Sequence, residues 1–253
     1  METRYFVKKG SIVREIWGSG DTILFIFAGA AAEFALNKAV DWLYFTGRLP
    51  ADPLGRLFST VGYARTIVFA DEATALRAID SIAAIHSAVE NSRGAKIPDW
   101  AYRDVLFMLI GYSISAYELL HRKLSGSEKQ EAFDVFLRIG DRMGIPGLPQ
   151  TYDEFRVMRE SHLRENLHRS RFTDDLFRQY KKHLGPLRFR IMVESQKLVV
   201  PKPVGELLGH QKGSVFPLMI SAYKFSRKLK ADRFLKSLIL PKMYKEQILA
   251  LDH

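Results

Sequence analysis

Helix-starting residues recur along this chain, each ahead of a run whose apolar side chains are spaced three and four apart, and sustained apolar–polar alternation is missing. That combination excludes a sheet framework and predicts an all-α fold. Asp52 stands before Pro53, an N-cap followed by the one position in a helix where proline costs nothing. Asp71 precedes "EATALRAIDSIAAIHSAVE", Asp99 precedes "WAYRDVLFMLIGYSISAYELLHRKL", and Thr151 and Glu154 have the spacing of a capping box. Glycine and proline breakers fall between these runs, at 46–53, 91–98, 125–128, 144–150, 184–186 and 199–205. The expectation is a single-domain bundle over residues 1–253 with roughly eight helices. Its most apolar run, "TILFIFAGAAAEFAL" (22–36), is short for a bilayer and interrupted by Glu33, so it reads as a buried helix.

The chain has no cysteine, which removes disulfides, thiolate metal sites, cysteine nucleophiles and covalent c-type haem attachment. There is no P-loop, dinucleotide-binding glycine fingerprint or Gly-x-Ser-x-Gly elbow. A formal charge of +10 points to an anionic partner. The basic runs 159–171 and 224–236 have helical spacing, and residues 215–240 join "VFPLMISAY" to Lys224, Arg227, Lys228, Lys230, Arg233 and Lys236. This composition predicts peripheral, salt-sensitive contact with an anionic membrane; no specific nucleic-acid partner is expected. The first residues lack the shape of a signal peptide, giving a cytoplasmic expectation.

One residue stands out within the helical pattern. Ala75, Ile79, Ile82, His86 and Val89 form a stripe that should face inward, and it carries an imidazole. Such a group must hydrogen-bond or coordinate. It is a structural histidine, a base or a ligand, and spacing alone does not choose. One helix upstream, Arg56, Thr60 and Tyr63 share a face that joins a cation, a hydroxyl and a phenol. Arg56 either grips an anion from within or is exposed at its helix's first turn.

The stretch "DPLGRLFSTVGYARTIVFADEATALRAIDSIAAIHSAVENSRG" (52–94) resembles the haem-containing oxygenases of the latex clearing protein (rubber oxygenase) and mpaB type. These have an Arg-x-x-x-Thr motif followed about thirty residues later by an inward histidine, matched here by Arg56, Thr60 and His86. Further similarity runs through 100–155, so the likeness covers residues 20–160. The resemblance implies a non-covalent haem b with His86 as its iron ligand, and Arg56, Thr60 and Tyr63 as cofactor-pocket residues, Arg56 and Thr60 with catalytic roles. It implies dioxygen chemistry on an apolar or lipid-like small molecule. A neutral imidazole suits haem iron, and an arginine suits a propionate.

This chain departs from the pattern in places. Ser59 stands where the rubber oxygenases carry a lysine before the motif threonine, and "NKAVDW" (37–42) replaces a His-Pro step. The acid that serves as base in the rubber oxygenases has no equivalent in register here, Glu33 and Asp41 being the nearby candidates, so rubber is not the expected substrate. Two other function classes remain: a non-catalytic helical haem or lipid binder, and a basic helical interaction protein. Phe25, Phe27, Phe34, Trp42, Tyr44, Phe45 and Phe58 read as core, or as the lining of an apolar pocket. Glu165 and His168 have di-iron spacing but form one pair among arginines, which points to a solvated helix. His121 is expected to cap a helix, and His183 and His210 to lie in loops beside glycines.

Overall fold

The computed structural model describes residues 3–47 and 51–210, without the side chains at 53, 54, 57 and 58. The basic segment 215–240 lies outside the described residues. Within them the fold is all-α, with ten helices and no strands. They are α1 (Ile12–Trp17), α2 (Gly20–Leu36), α3 (Val40–Phe45), α4 (Pro53–Phe69) and α5 (Glu72–Arg93), followed by α6 (Asp99–Leu120), α7 (Gly126–Arg142), α8 (Tyr152–Glu165), α9 (Arg171–Val199) and α10 (Lys202–Leu208). The two helices beyond the expected eight reflect short pieces, such as α1 and α3, whose six residues give too little periodicity to read.

At Asp52, Asp71 and Thr151 the caps form where the sequence places them. Asp52 accepts from the Gly55 N–H at 2.8 Å and Asp71 from the Thr74 N–H at 3.0 Å, each satisfying an otherwise unpaired first-turn donor. At Thr151 only half of the capping box closes. Thr151 accepts from the Glu154 N–H at 3.2 Å, but the Glu154 carboxylate takes the Gln150 N–H at 2.7 Å instead of reaching back to Thr151. Before α6 the cap position is Pro98, and Asp99 is the first helical residue.

Helix α2 is the axis of the bundle. It packs along α6 and α9 and is buried on several faces, as its nearly continuous apolar sequence requires. Trp17, Ile23, Ile26, Phe107, Tyr112 and Phe133 are fully enclosed around it. Gly29 lets α2 come directly against a ring: a Cβ there would lie 2.4 Å from Tyr112 carbons. Within this apolar layer Glu33 receives both terminal nitrogens of Arg159 on α8, and the Tyr112 hydroxyl donates to the same carboxylate at 2.7 Å. Burial opposes the Arg159 charge, but adjacent Glu33 outweighs it and holds the guanidinium pKa above its usual value. Burial, then the Glu33 charge, pushes the Tyr112 phenol well above the ordinary range.

Glu33 is thus committed to an internal ion pair. Arg159→Met should destabilise the chain by about 3–5 kcal/mol, because it strands a buried carboxylate. Adding Glu33→Leu and Tyr112→Phe should recover most of that loss, since a filled apolar site needs no counter-charge. Urea midpoints of the single and triple variants, with unchanged m, check this.

Candidate active site

Helices α4 and α5 are joined at residues 70–71 and pack side by side. Arg56 lies fourteen residues before Ala70 and His86 fifteen after Asp71, so a back-to-back pair brings both to the same depth. The stripe on α5 is not uniformly interior. Ala75 and Ile79 are fully buried, while Ile82, His86 and Val89 are only partly covered and Ile85 reaches the surface. His86 therefore sits where the helix leaves the core, not among the aliphatic walls the spacing suggested.

Its Nδ1 is nevertheless buried, with no hydrogen-bond partner among the described residues. The imidazole meets the Tyr102 ring edge-on, at 5.2 Å between centroids and 74° between planes. Burial lowers the His86 pKa, the Arg56 charge lowers it further, and Glu90 partly opposes both. The ring is thus a neutral base with an unused, buried nitrogen.

Glu90 and Arg93 follow His86 by four and seven residues on one face of α5. Glu90 accepts from the Ile97 N–H at 2.9 Å and from the Tyr102 hydroxyl at 3.2 Å. Burial works to raise the Glu90 pKa, but these bonds and Lys96 outweigh it and keep the carboxylate below its usual value. Burial, then Glu90, raises the Tyr102 phenol. One turn on, Arg93 donates to Asp41 at 2.7 Å and lies 3.9 Å from the Trp42 ring centroid. Asp41 is consequently held by a cation, like Glu33. Spacing from His86 would have found Glu90 and Arg93; no signal in "WAYRD" marks Tyr102, which comes from the next helix.

On α4, Arg56, Thr60 and Tyr63 are all partly buried. The Thr60 hydroxyl donates to the Arg56 carbonyl at 3.0 Å, which leaves its oxygen free only as an acceptor. Tyr63 packs against the main core. Ser59 is exposed, so the turn after Arg56 brings no second cation.

Apart from Phe58, whose side chain is not described, the aromatic residues ahead of His86 do not form one pocket. Phe27 meets Trp17 in the core, Tyr44 lies against Phe172, and Trp42 and exposed Phe45 lie beneath Arg93. Two shallow clefts, of about 220 and 210 Å³, lie elsewhere: one over Tyr112 and Arg159, one beside Phe177 and Lys181. The remaining histidines have other duties. His162 contacts buried Asp104 and stacks on Phe107; His121 ends α6, bonds Thr22 at 3.2 Å and stacks on Tyr117. His183 lies inside α9, not in a loop, and His210 follows α10. The Glu165 carboxylate accepts from Ser161, and among the described residues no three histidine, aspartate or glutamate side chains converge on a metal position.

Residues 17–217 match the family of the ER-bound oxygenase mpaB/B' and rubber oxygenase catalytic domain. The chain belongs to this family. It thus carries an oxygenase catalytic domain, and the Arg56, Thr60 and His86 motif lies inside the matched span. Neither the curated proteins nor the solved structures contain a match. No helix among the described residues is long and apolar enough to cross a membrane.

The depressed His86 pKa fixes the sign of a pH effect. The unfolded chain takes a proton near 6.5 while the folded chain resists it. Stability of the ligand-free protein should therefore fall as pH drops through 6.5 toward the folded pKa, then level off. His86→Gln should flatten that slope, and Arg56→Gln should move the imidazole pKa up toward 6.5. Carbon-detected imidazole titration by NMR reads the second effect; an unmoved pKa in Arg56→Gln would rule out the Arg56 contribution.

Proposed function

We propose that this oxygenase domain binds haem b without a covalent link, with His86 as the iron ligand, and acts with dioxygen on an apolar or lipid-like small molecule. The supporting observation is a partly buried imidazole whose Nδ1 is buried with no partner among the described residues and whose pKa is lowered by burial and by the Arg56 charge. A buried nitrogen left unused costs about 1–3 kcal/mol, and a coordinated metal removes that cost. When bound, haem supplies the redox and dioxygen chemistry.

The chain's own residues then have separate tasks. Burial and Arg56 keep His86 unprotonated, so its lone pair is available to iron. The Tyr102 edge restricts ring rotation, and Glu90 anchors Tyr102 through its hydroxyl. Arg56 would hold a propionate by paired hydrogen bonds. Thr60 and Tyr63, one and two turns along the same face, bound the pocket wall, with the Thr60 oxygen able to accept but not donate. Ser59 offers no fixed charge, which leaves Arg56 as the cation on this turn.

Titration of the purified chain with haem, followed in the visible spectrum, tests the reading. Wild type should give a histidine-ligated spectrum. His86→Ala should lose most bound haem while its helical circular dichroism persists, and His121→Ala and His162→Ala should retain it. Arg56→Gln should weaken retention by about tenfold, the equivalent of one lost charge-assisted contact. A His86→Ala protein with an unchanged haem spectrum would refute the ligand assignment.

A further inference from the structure

Helix α9 does not run straight. It breaks at Gly185, whose φ of 74° only glycine adopts easily, and resumes with Pro186. The bend pushes Leu187 outward, leaving it 68% exposed. Leu184, Phe189 and Met192 turn the other way and pack near Leu176 and Tyr180, so the elbow is anchored from beneath. An exposed leucine alone is ordinary. What surrounds this one is not: residues 176–193 contain Arg178, Lys181, Lys182, Arg188 and Arg190 and no acidic residue.

The neighbouring acids are already engaged. Asp174 is paired with Arg169, Asp175 with Arg178, and Glu194 with Lys197. Lys181, Lys182 and Arg190 are exposed and have no ion-pair partner among the described residues. The elbow thus presents one exposed apolar side chain within six residues of three exposed cations that carry no ion pair among the described residues. A protein partner of acidic character would match the charge but leave a lone leucine without a pocket. A bilayer with anionic headgroups meets both features, since it attracts the cations and accepts the leucine at its acyl boundary.

We infer that the α9 elbow, with Leu187 at its tip and Lys181, Lys182 and Arg190 around it, docks the protein on an anionic lipid surface. This surface is independent of His86 and of the haem assignment. It uses none of the residues of the basic segment at 215–240.

Co-sedimentation of the full chain with vesicles tests the inference, using phosphatidylcholine alone and with roughly a third phosphatidylserine. Wild type should bind the anionic vesicles at low salt and be released at about 0.5 M salt. The triple variant Lys181→Gln, Lys182→Gln, Arg190→Gln should lose about tenfold or more in partition. Leu187→Ser should lose roughly tenfold with its charges intact. These positions are exposed, so unchanged circular dichroism and thermal midpoint serve as the folding control. In a Leu187→Trp variant the new tryptophan emission should shift blue on the anionic vesicles. Equal binding by the triple variant, equal partition onto neutral vesicles, or sedimentation without that shift would each overturn the proposal. So would retention of an RNA oligomer in place of vesicles.

Discussion

The buried fork between Glu33 and Arg159 is the interaction on which the arrangement of this bundle depends. It joins positions 126 residues apart and enlists Tyr112, so three helices answer to one carboxylate. Helix α2 is apolar on almost every side and would pack comparably in several rotations. A charge inside it accepts only the rotation that brings Glu33 to its partner, because the alternatives leave an ion without water. Once α2 is set, α6 is set through Tyr112, and the first turn of α6 carries Tyr102 to the imidazole of His86. The register of the core therefore reaches the candidate site through a single helix.

Local signals were legible in the sequence because their partners are local. Asp52 and Asp71 cap helices whose N–H groups lie three residues on. His86 was legible as an anomaly, since an imidazole on an apolar stripe needs a reason. The fork was not legible: Glu33 read as an interruption or a base, and Arg159 as the start of a basic run, because nothing links two residues so far apart in sequence. Asp41 misled similarly until Arg93 came to meet it. The depth of His86 was overestimated because a helical stripe shows which side faces inward, not how far the helix runs before it emerges. The half-closed box at Thr151 has a comparable cause. Two acceptable N–H donors stood within reach of Glu154, and backbone geometry chose the one at Gln150.

The candidate site also illustrates how function and stability oppose each other. An imidazole with a buried, unpaired nitrogen beside a guanidinium is a poor stabilising choice. Both features keep its lone pair unprotonated, which a ligand for a metal requires. Around it Glu90 takes bonds from Ile97 and Tyr102, and one terminal nitrogen of Arg93 is pinned by Asp41, while its other, Nη1, is buried without a partner among the described residues. Buried polar atoms left without partners are the pattern expected where a site departs from the rules that govern the rest of a fold.

The contact of Gly29 with Tyr112 bears on traffic through the molecule. Elsewhere in a bundle, side chains from two helices interleave, and rotamer changes open passing gaps between them. Where a backbone rests flat on an aromatic ring there is nothing to swing aside, and the ring is locked at its far end by Glu33. The seam between α2 and α6 is therefore held closed at the level of Gly29.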